Sequence, residues 1–321
     1  MIGIPIGRKI DKSDNSDLAD NSPVKPERLI QIWSCFVKLI STCQDSQNRI
    51  GVLGENQDCV ILDPANDWPD EMKQLIVSLD GSPQLFNRLA DAAKSISGSA
   101  CQLSAPISQA EKLVCIGTNY ADHAREMGGE PPEIPVVFNK FPSVIVGPDS
   151  EIRLPAISQA VDFEAELVVV IGKPGKNIAL DCAMDHVFGY CCVNDISARD
   201  WQKGRPGGQW LLGKTFDTFA PLGPAIVTKD EIPDPQNLHI QLRLNGQTMQ
   251  DSSTSQLIFP VDFLISHNSK FVTLTYGDLI FTGTPSGVGA GRKPPVFLKP
   301  GDSLEVEIEN LGVLRNRVVA D

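Results

Sequence analysis

The sequence predicts a β-rich α+β fold with a small α+β module on its N-terminal side. Three observations carry that reading. Short apolar runs recur through residues 112–321, separated by Gly, Pro and Asn turn signals. Helical spacing is rare there, so the alternation of a βαβ fold is missing. Residues 69–98, by contrast, place apolar residues at helical spacing after two strand-like runs, which sets 37–105 apart. At roughly 150 residues per domain, the chain holds one large domain or two ordinary ones.

Residues 1–36 are expected to be a disordered or non-native extension. They are polar, rich in Asp, Ser and Asn, and interrupted by Pro23 and Pro26, so they bury too little to offset their ordering entropy. Strand texture begins at 37–42 and continues over 49–64, with Gly54-Glu55-Asn56 as a hairpin signal. Met72, Leu75, Ile76 and Leu79, then Leu85, Leu89, Ala92 and Ala93, predict two amphipathic helices broken at Gly81-Ser82-Pro83. The main domain, 112–321, opens with a strand over 112–120 and a short helix over 121–128 closed by Gly128-Gly129. Further strands fall at 135–141, 143–148, 163–172, 186–197, 220–228 and 278–285. Hairpins turn through Asn245-Gly246 (238–250) and Asn310-Leu311-Gly312 (302–319). Helices are expected at 179–185, 197–203 and 260–270.

Composition excludes several functions. Lys and Arg number 28 against 40 Asp and Glu, a net charge of −12 that argues against nucleic acid as a partner. No apolar run approaches the length of about 18 residues needed to span a membrane. The first residues turn acidic where a signal peptide needs its apolar core, and are too acidic for a mitochondrial presequence. The eight cysteines form no C-x-x-C pair, and only Cys191 and Cys192 are adjacent. They read as reduced core thiols of a cytoplasmic protein, or of the mitochondrial matrix in a eukaryotic host. GVGAGRK (287–293) is glycine-rich, but Pro294-Pro295 denies it a helix N-terminus for a phosphate, and it reads as a mobile surface loop. His186, His239 and His267 are isolated and read as structural or surface residues.

The informative segment is DFEAELVVVIG (162–172). On a strand, Glu164 and Glu166 share a face. Two carboxylates about 4 Å apart repel by roughly 4 kcal/mol at an effective dielectric of 20. Beside a buried Val-Val-Val-Ile run they call for a cation or a raised pKa; on an exposed edge strand they are simply solvated. Asp195 ends a second apolar strand and offers a third oxygen. An all-carboxylate set suits a hard ion. His123 and Glu126 stand at i,i+3 on a short helix, as a general base and its orienter or as an ordinary surface pair.

Taken together, GTNYADH, FNKF, DFEAELVVVIG, NDISARDWQ, GKTFDTFAPLGP and TGTPSGVG resemble the fumarylacetoacetate hydrolase superfamily over residues 112–319, closest to its domain-containing protein 2 branch. The resemblance implies layered mixed β-sheets rolled around a metal site, a homodimer, and a small 2-oxo acid as substrate. It implies Glu164, Glu166 and Asp195 as Mg²⁺ ligands, with Mn²⁺ or Ca²⁺ as substitutes. It gives catalytic roles to Lys214 and to the His123–Glu126 pair on a lid, and substrate contacts to Lys140, Gln202 and Thr284. The activity implied is that of an isomerase or tautomerase acting on an oxaloacetate-like dicarboxylate through a metal-held enolate. The alternatives are a C–C hydrolase of acylpyruvate or fumarylacetoacetate type, an oxaloacetate decarboxylase, and a catalytically silent ligand-binding protein.

Overall fold

A strand buried on both faces needs a near-continuous apolar run; residues 167–171 supply one within Ala165–Ile171, and residues 187–193 supply one within Val187–Asn194. Every residue of both is buried, and they pair antiparallel at the centre of the largest sheet. The computed structural model describes residues 37–321 apart from 45–46, 55–57 and 95–100. The extension expected over 1–36 and the turn residues Glu55 and Asn56 lie outside the described residues.

In chain order the strands and helices are β1 (Lys38–Gln44), β2 (Gln47–Leu53), β3 (Cys59–Ile61), α1 (Met72–Leu79), α2 (Pro83–Lys94), β4 (Leu103–Ser104), β5 (Leu113–Gly117), α3 (Ala121–Glu126) and β6 (Val136–Lys140). Then come β7 (Ile145–Val146), β8 (Glu151–Leu154), β9 (Val161–Asp162), β10 (Ala165–Ile171), β11 (Val187–Asn194), β12 (Ser197–Ala198), α4 (Arg199–Gln202), α5 (Trp210–Lys214) and β13 (Ala220–Thr228). The chain closes with β14 (His239–Leu244), β15 (Gln247–Ser253), α6 (Val261–Ser269), β16 (Leu279–Phe281), β17 (Ser303–Ile308) and β18 (Gly312–Ala320).

Among the described residues an eleven-stranded mixed sheet runs β3-β2-β1-β13-β11-β10-β16-β5-β6, with β4 on β1 and β7 on β13. A five-stranded sheet, β15-β14-β17-β18-β8, packs on it where β10, β11 and β13 meet β14, β17 and β18. This is the β-rich α+β architecture expected from the turn-punctuated apolar runs. Asn245-Gly246 and Asn310 make their turns with positive φ, as hairpin geometry requires.

Some features differ from the sequence reading. The module anticipated over 37–105 does not keep a sheet to itself, because β1 pairs with β13 and carries its hairpin into the main sheet. Helix α5 was not anticipated, since five residues are too few to show a period. Residues Leu180–His186 form a 3₁₀ helix. Finally, Cys59 and Cys101 are joined in a disulfide, with Cα atoms 6.2 Å apart, although 42 residues separate them in sequence. The all-thiol reading fails there because β3 and β4 enter one sheet through β2 and β1, a non-local arrangement that cysteine spacing does not reveal. Cys115, Cys191 and Cys192 are buried thiols.

Gly189 in β11 fixes how closely β13 can approach: a Cβ there would lie 2.2 Å from the Val227 carbonyl oxygen. Gly189→Ala is expected to destabilise the fold by about 1–3 kcal/mol through overpacking. The readout is a lowered denaturant midpoint with an unchanged m-value.

Candidate active site

Antiparallel pairing sets Ala165 opposite Asn194, so the start of β10 meets the end of β11. The Asp195 amide donates to the Glu164 carbonyl (2.8 Å), and the Glu164 amide donates to Asn194 Oδ1 (2.9 Å). Glu164, Glu166 and Asp195 thereby bring carboxylate oxygens within 4.8 Å of one another. They are 5%, 2% and 0% exposed. β10 lies between β11 and β16, so the alternative of a solvated edge strand is excluded.

Three buried cations meet these acids. Lys214 Nζ lies 2.6 Å from Glu164 Oε2 and 2.7 Å from Asp195 Oδ2. Arg199 pairs with Glu164 (2.6 Å) and with Asp162 (2.9 Å), and donates to Gln202 Oε1 (3.0 Å). Lys140 pairs with Asp195 and donates to the carbonyls of Ile196 (3.1 Å) and Phe219 (2.6 Å). Burial pushes the Glu164 pKa up, but Lys214 and Arg199 outweigh it and hold the carboxyl well below the usual range. Burial disfavours charge on Lys214 too, yet Asp195 and Glu164 keep it firmly protonated.

Glu166 differs. It accepts from the Gly283 amide (2.8 Å), and no lysine or arginine pairs with it among the described residues. Burial, then Asp195 and Glu164, push its pKa well above the ordinary value.

The i,i+3 contact between His123 and Glu126 is formed. His123 Nδ1 lies 3.2 Å from Glu126 Oε2 on α3, and His123 is buried. The glycine-rich segment pins this helix. Gly287 N–H donates to Glu126 Oε1 (2.9 Å), and the Ser286 hydroxyl donates to Asp122 (2.7 Å). Gly289 and Ala290 donate their amides to Asp162 (2.7 and 3.0 Å). The expectation of a mobile surface loop is thus corrected. A Cβ at Gly289 would lie 1.8 Å from the Val296 carbonyl and 2.6 Å from Asp162, so the glycine buys close backbone approach to a carboxylate.

A cleft opens onto these groups; His123, Glu164, Glu166, Gln202, Lys214 and Thr284 are among its walls. Thr284 donates to the Ala165 carbonyl (2.9 Å) and accepts from Gln250 (2.8 Å). Trp210 on α5 closes one side, against Gly117 and edge-on to Phe138. Thr118 lines the cleft with φ +52°, a strained conformation for a β-branched residue. Asn119 anchors it through the backbones of Phe259 and Thr282. Lys140 does not line the cleft: it sits behind Asp195 with its three N–H bonds committed. Sequence reasoning gave no role to Asp162, Arg199 or Gln250. Asp162 was findable, because it continues the i, i+2 series of Glu164 and Glu166.

A family model for the fumarylacetoacetate (FAA) hydrolase C-terminal region matches residues 112–319. The chain belongs to this family. The motif resemblance spans the same residues. "Oxaloacetate tautomerase fahd2, mitochondrial" of Xenopus laevis is 53% identical over 302 residues, covering 93% of this chain and 92% of that protein. Among solved structures, the fumarylacetoacetate hydrolase of psychrophilic Exiguobacterium antarcticum matches with a TM-score of 0.76 at 36% identity, over 89% of this chain and 100% of its own. Fumarylpyruvate hydrolase from Pseudomonas aeruginosa, solved in complex with Mn²⁺ and pyruvate, matches with a TM-score of 0.61 at 36% identity, over 68% and 92%. The chain is an enzyme of this family.

The charge pattern separates two isosteric substitutions. Without metal at neutral pH, Glu166→Gln is expected to raise the melting temperature, because it removes an uncompensated buried charge. A raised carboxyl pKa makes the native state bind more protons than the unfolded one. Wild-type stability therefore falls as pH rises above about 4.3, and the advantage of Glu166→Gln vanishes below that pH. Glu164→Gln is expected to destabilise by on the order of 3 kcal/mol, since it strands Lys214 and Arg199. Denaturation of both variants in chelator, from pH 4 to 8, checks this.

Proposed function

We propose that the chain is a divalent-metal-dependent oxaloacetate tautomerase, moving a proton between the keto and enol forms of a small 2-oxo dicarboxylate. One observation carries the metal: Glu166 is a buried carboxylate that no lysine or arginine among the described residues pairs with, beside two more acids. The donors fit a hard ion, since all three are carboxylates with no Cys or His among them. Glu164, Glu166 and Asp195 would hold Mg²⁺, or Mn²⁺ or Ca²⁺ in its place. When bound, such an ion supplies Lewis acidity to the 2-oxo and carboxylate oxygens of the substrate.

The chain's own groups do the rest. His123 exchanges the proton at C3 through the ring nitrogen that Glu126 leaves free, and Glu126 fixes the ring's orientation. The Lys214 ammonium places positive charge beside the oxygen where negative charge develops. Lys214 holds its proton too tightly to serve as the base. Gln202 and Thr284 line the substrate's space, and Lys140 positions Asp195 instead of touching substrate.

The tautomerase reading is supported by the 53% identity to a protein of that name, against 36% to the two hydrolases. That relative's name also places it in mitochondria, and we assign this chain the same compartment; the cytoplasmic expectation finds no support there. A homodimer fits the outer edge of the main sheet, where Ile134, Val137 and Phe141 are 69%, 46% and 49% exposed on and beside β6.

The test follows enol-oxaloacetate spectroscopically with Mg²⁺ and with EDTA. Wild type is expected to tautomerise it faster than buffer, and EDTA to abolish the gain. Lys214→Ala is expected to depress the rate at least as much as His123→Ala, whose loss should be about 10²–10⁴-fold if it is the general base. Acetylpyruvate should be cleaved slowly. Rapid acetylpyruvate cleavage without tautomerisation would install the C–C hydrolase, and CO₂ release matching oxaloacetate loss the decarboxylase.

A further inference from the structure

We infer that Lys203 selects dicarboxylates, its ammonium taking the carboxylate at the end of the substrate remote from the 2-oxo group. This rests on the proposed 2-oxo acid chemistry for which end of the substrate faces the buried acids.

Three lysine and arginine side chains line the cleft: Arg199, Lys203 and Lys214. Two are spent. Arg199 is engaged by Asp162, Glu164 and Gln202, and Lys214 by Glu164 and Asp195. Lys203 has no ion pair and no side-chain hydrogen bond among the described residues. It is exposed while the other two are buried, which puts it on the solvent side of them. A monoanionic 2-oxo acid needs no more than the ion that Glu164, Glu166 and Asp195 would hold. A dianion carries a second charge, and the net −12 of the chain repels it unless a cation stands free.

The backbone under Lys203 is fixed. Its amide donates to the Arg199 carbonyl (3.0 Å). Gly204 lies so close to α4 that a Cβ would stand 2.5 Å from the Asp200 carbonyl. Asp200 is itself tied to the Ser158 hydroxyl (2.6 Å) and the Gln159 amide (3.0 Å). The other cation of this segment, Arg205, lies over the Trp201 ring at 4.6 Å and does not line the cleft. A free cation on a fixed stem suits recognition, because only the side chain has to be ordered. Arg205 supplies the control, as a like charge two residues away.

The experiment is titration calorimetry of the full chain with Mg²⁺ present. The probes are pyruvate, a monoanion, and 3,3-difluorooxaloacetate, a dianion with no proton to lose at C3. Lys203→Gln is expected to weaken the dianion about tenfold and leave pyruvate within about twofold, the scale of one charge-assisted contact. Lys203→Arg should retain most of the preference, and Arg205→Gln should match wild type. An unchanged dianion-to-pyruvate ratio in Lys203→Gln would overturn the inference. So would an equal loss in Arg205→Gln, which would mean a diffuse field instead of a contact. Failure of wild type to turn over enol-oxaloacetate would overturn the tautomerase reading and leave this comparison standing.

Discussion

The ion pairs that Lys214 makes with Glu164 and Asp195 hold the site together. Acids at the adjoining ends of two central strands are packed where little water reaches, and each buried ion left unpaired costs several kcal/mol. Lys214 answers two of them at once, Arg199 adds Asp162, and Lys140 seals Asp195 from behind. Every one of those pairs depends on the β10–β11 register, because a slip of one residue would turn the carboxylates to the other face. The apolar run that buries β10 is therefore also what makes its acids chemically consequential. Glu166, in the same cluster, has no cationic partner among the described residues.

Much of this was legible in the sequence. The i, i+2 spacing of Glu164 and Glu166, the i, i+3 spacing of His123 and Glu126, and the Asn-Gly hairpin turn are local patterns, and local geometry follows from them. The apolar run beside the glutamates already hinted at burial, but only the position of β10 between β11 and β16 decided against a solvated edge. What stayed illegible was non-local. The Cys59–Cys101 bond, the β1–β13 pairing and the Arg199–Asp162 pair join residues tens to nearly two hundred positions apart. Helix α5 was too short to declare itself, yet it delivers both Trp210 and Lys214. Lys140 shows a different limit: its motif pointed to the site but not to the side of Asp195 on which it lies.

The glycine-rich segment was misread because composition reports freedom and not contact. Glycines are used here for what they leave out: without a Cβ, the main chain can lie directly on a carboxylate. The amides of Gly289 and Ala290 serve Asp162, and the amide of Gly287 serves Glu126. Gly291 is as constrained, since a Cβ there would stand 2.4 Å from Glu126 Cγ.

That segment therefore acts as a spacer of fixed length. Only one residue separates the amide that holds Glu126 from the first amide that holds Asp162. An insertion or deletion between Gly287 and Gly289 would leave each half well formed and put the two out of step. Relatives that differ in length at this point would have to re-space one half against the other, so drift in loop length here is coupled to chemistry in a way that drift at the Asn245-Gly246 turn is not.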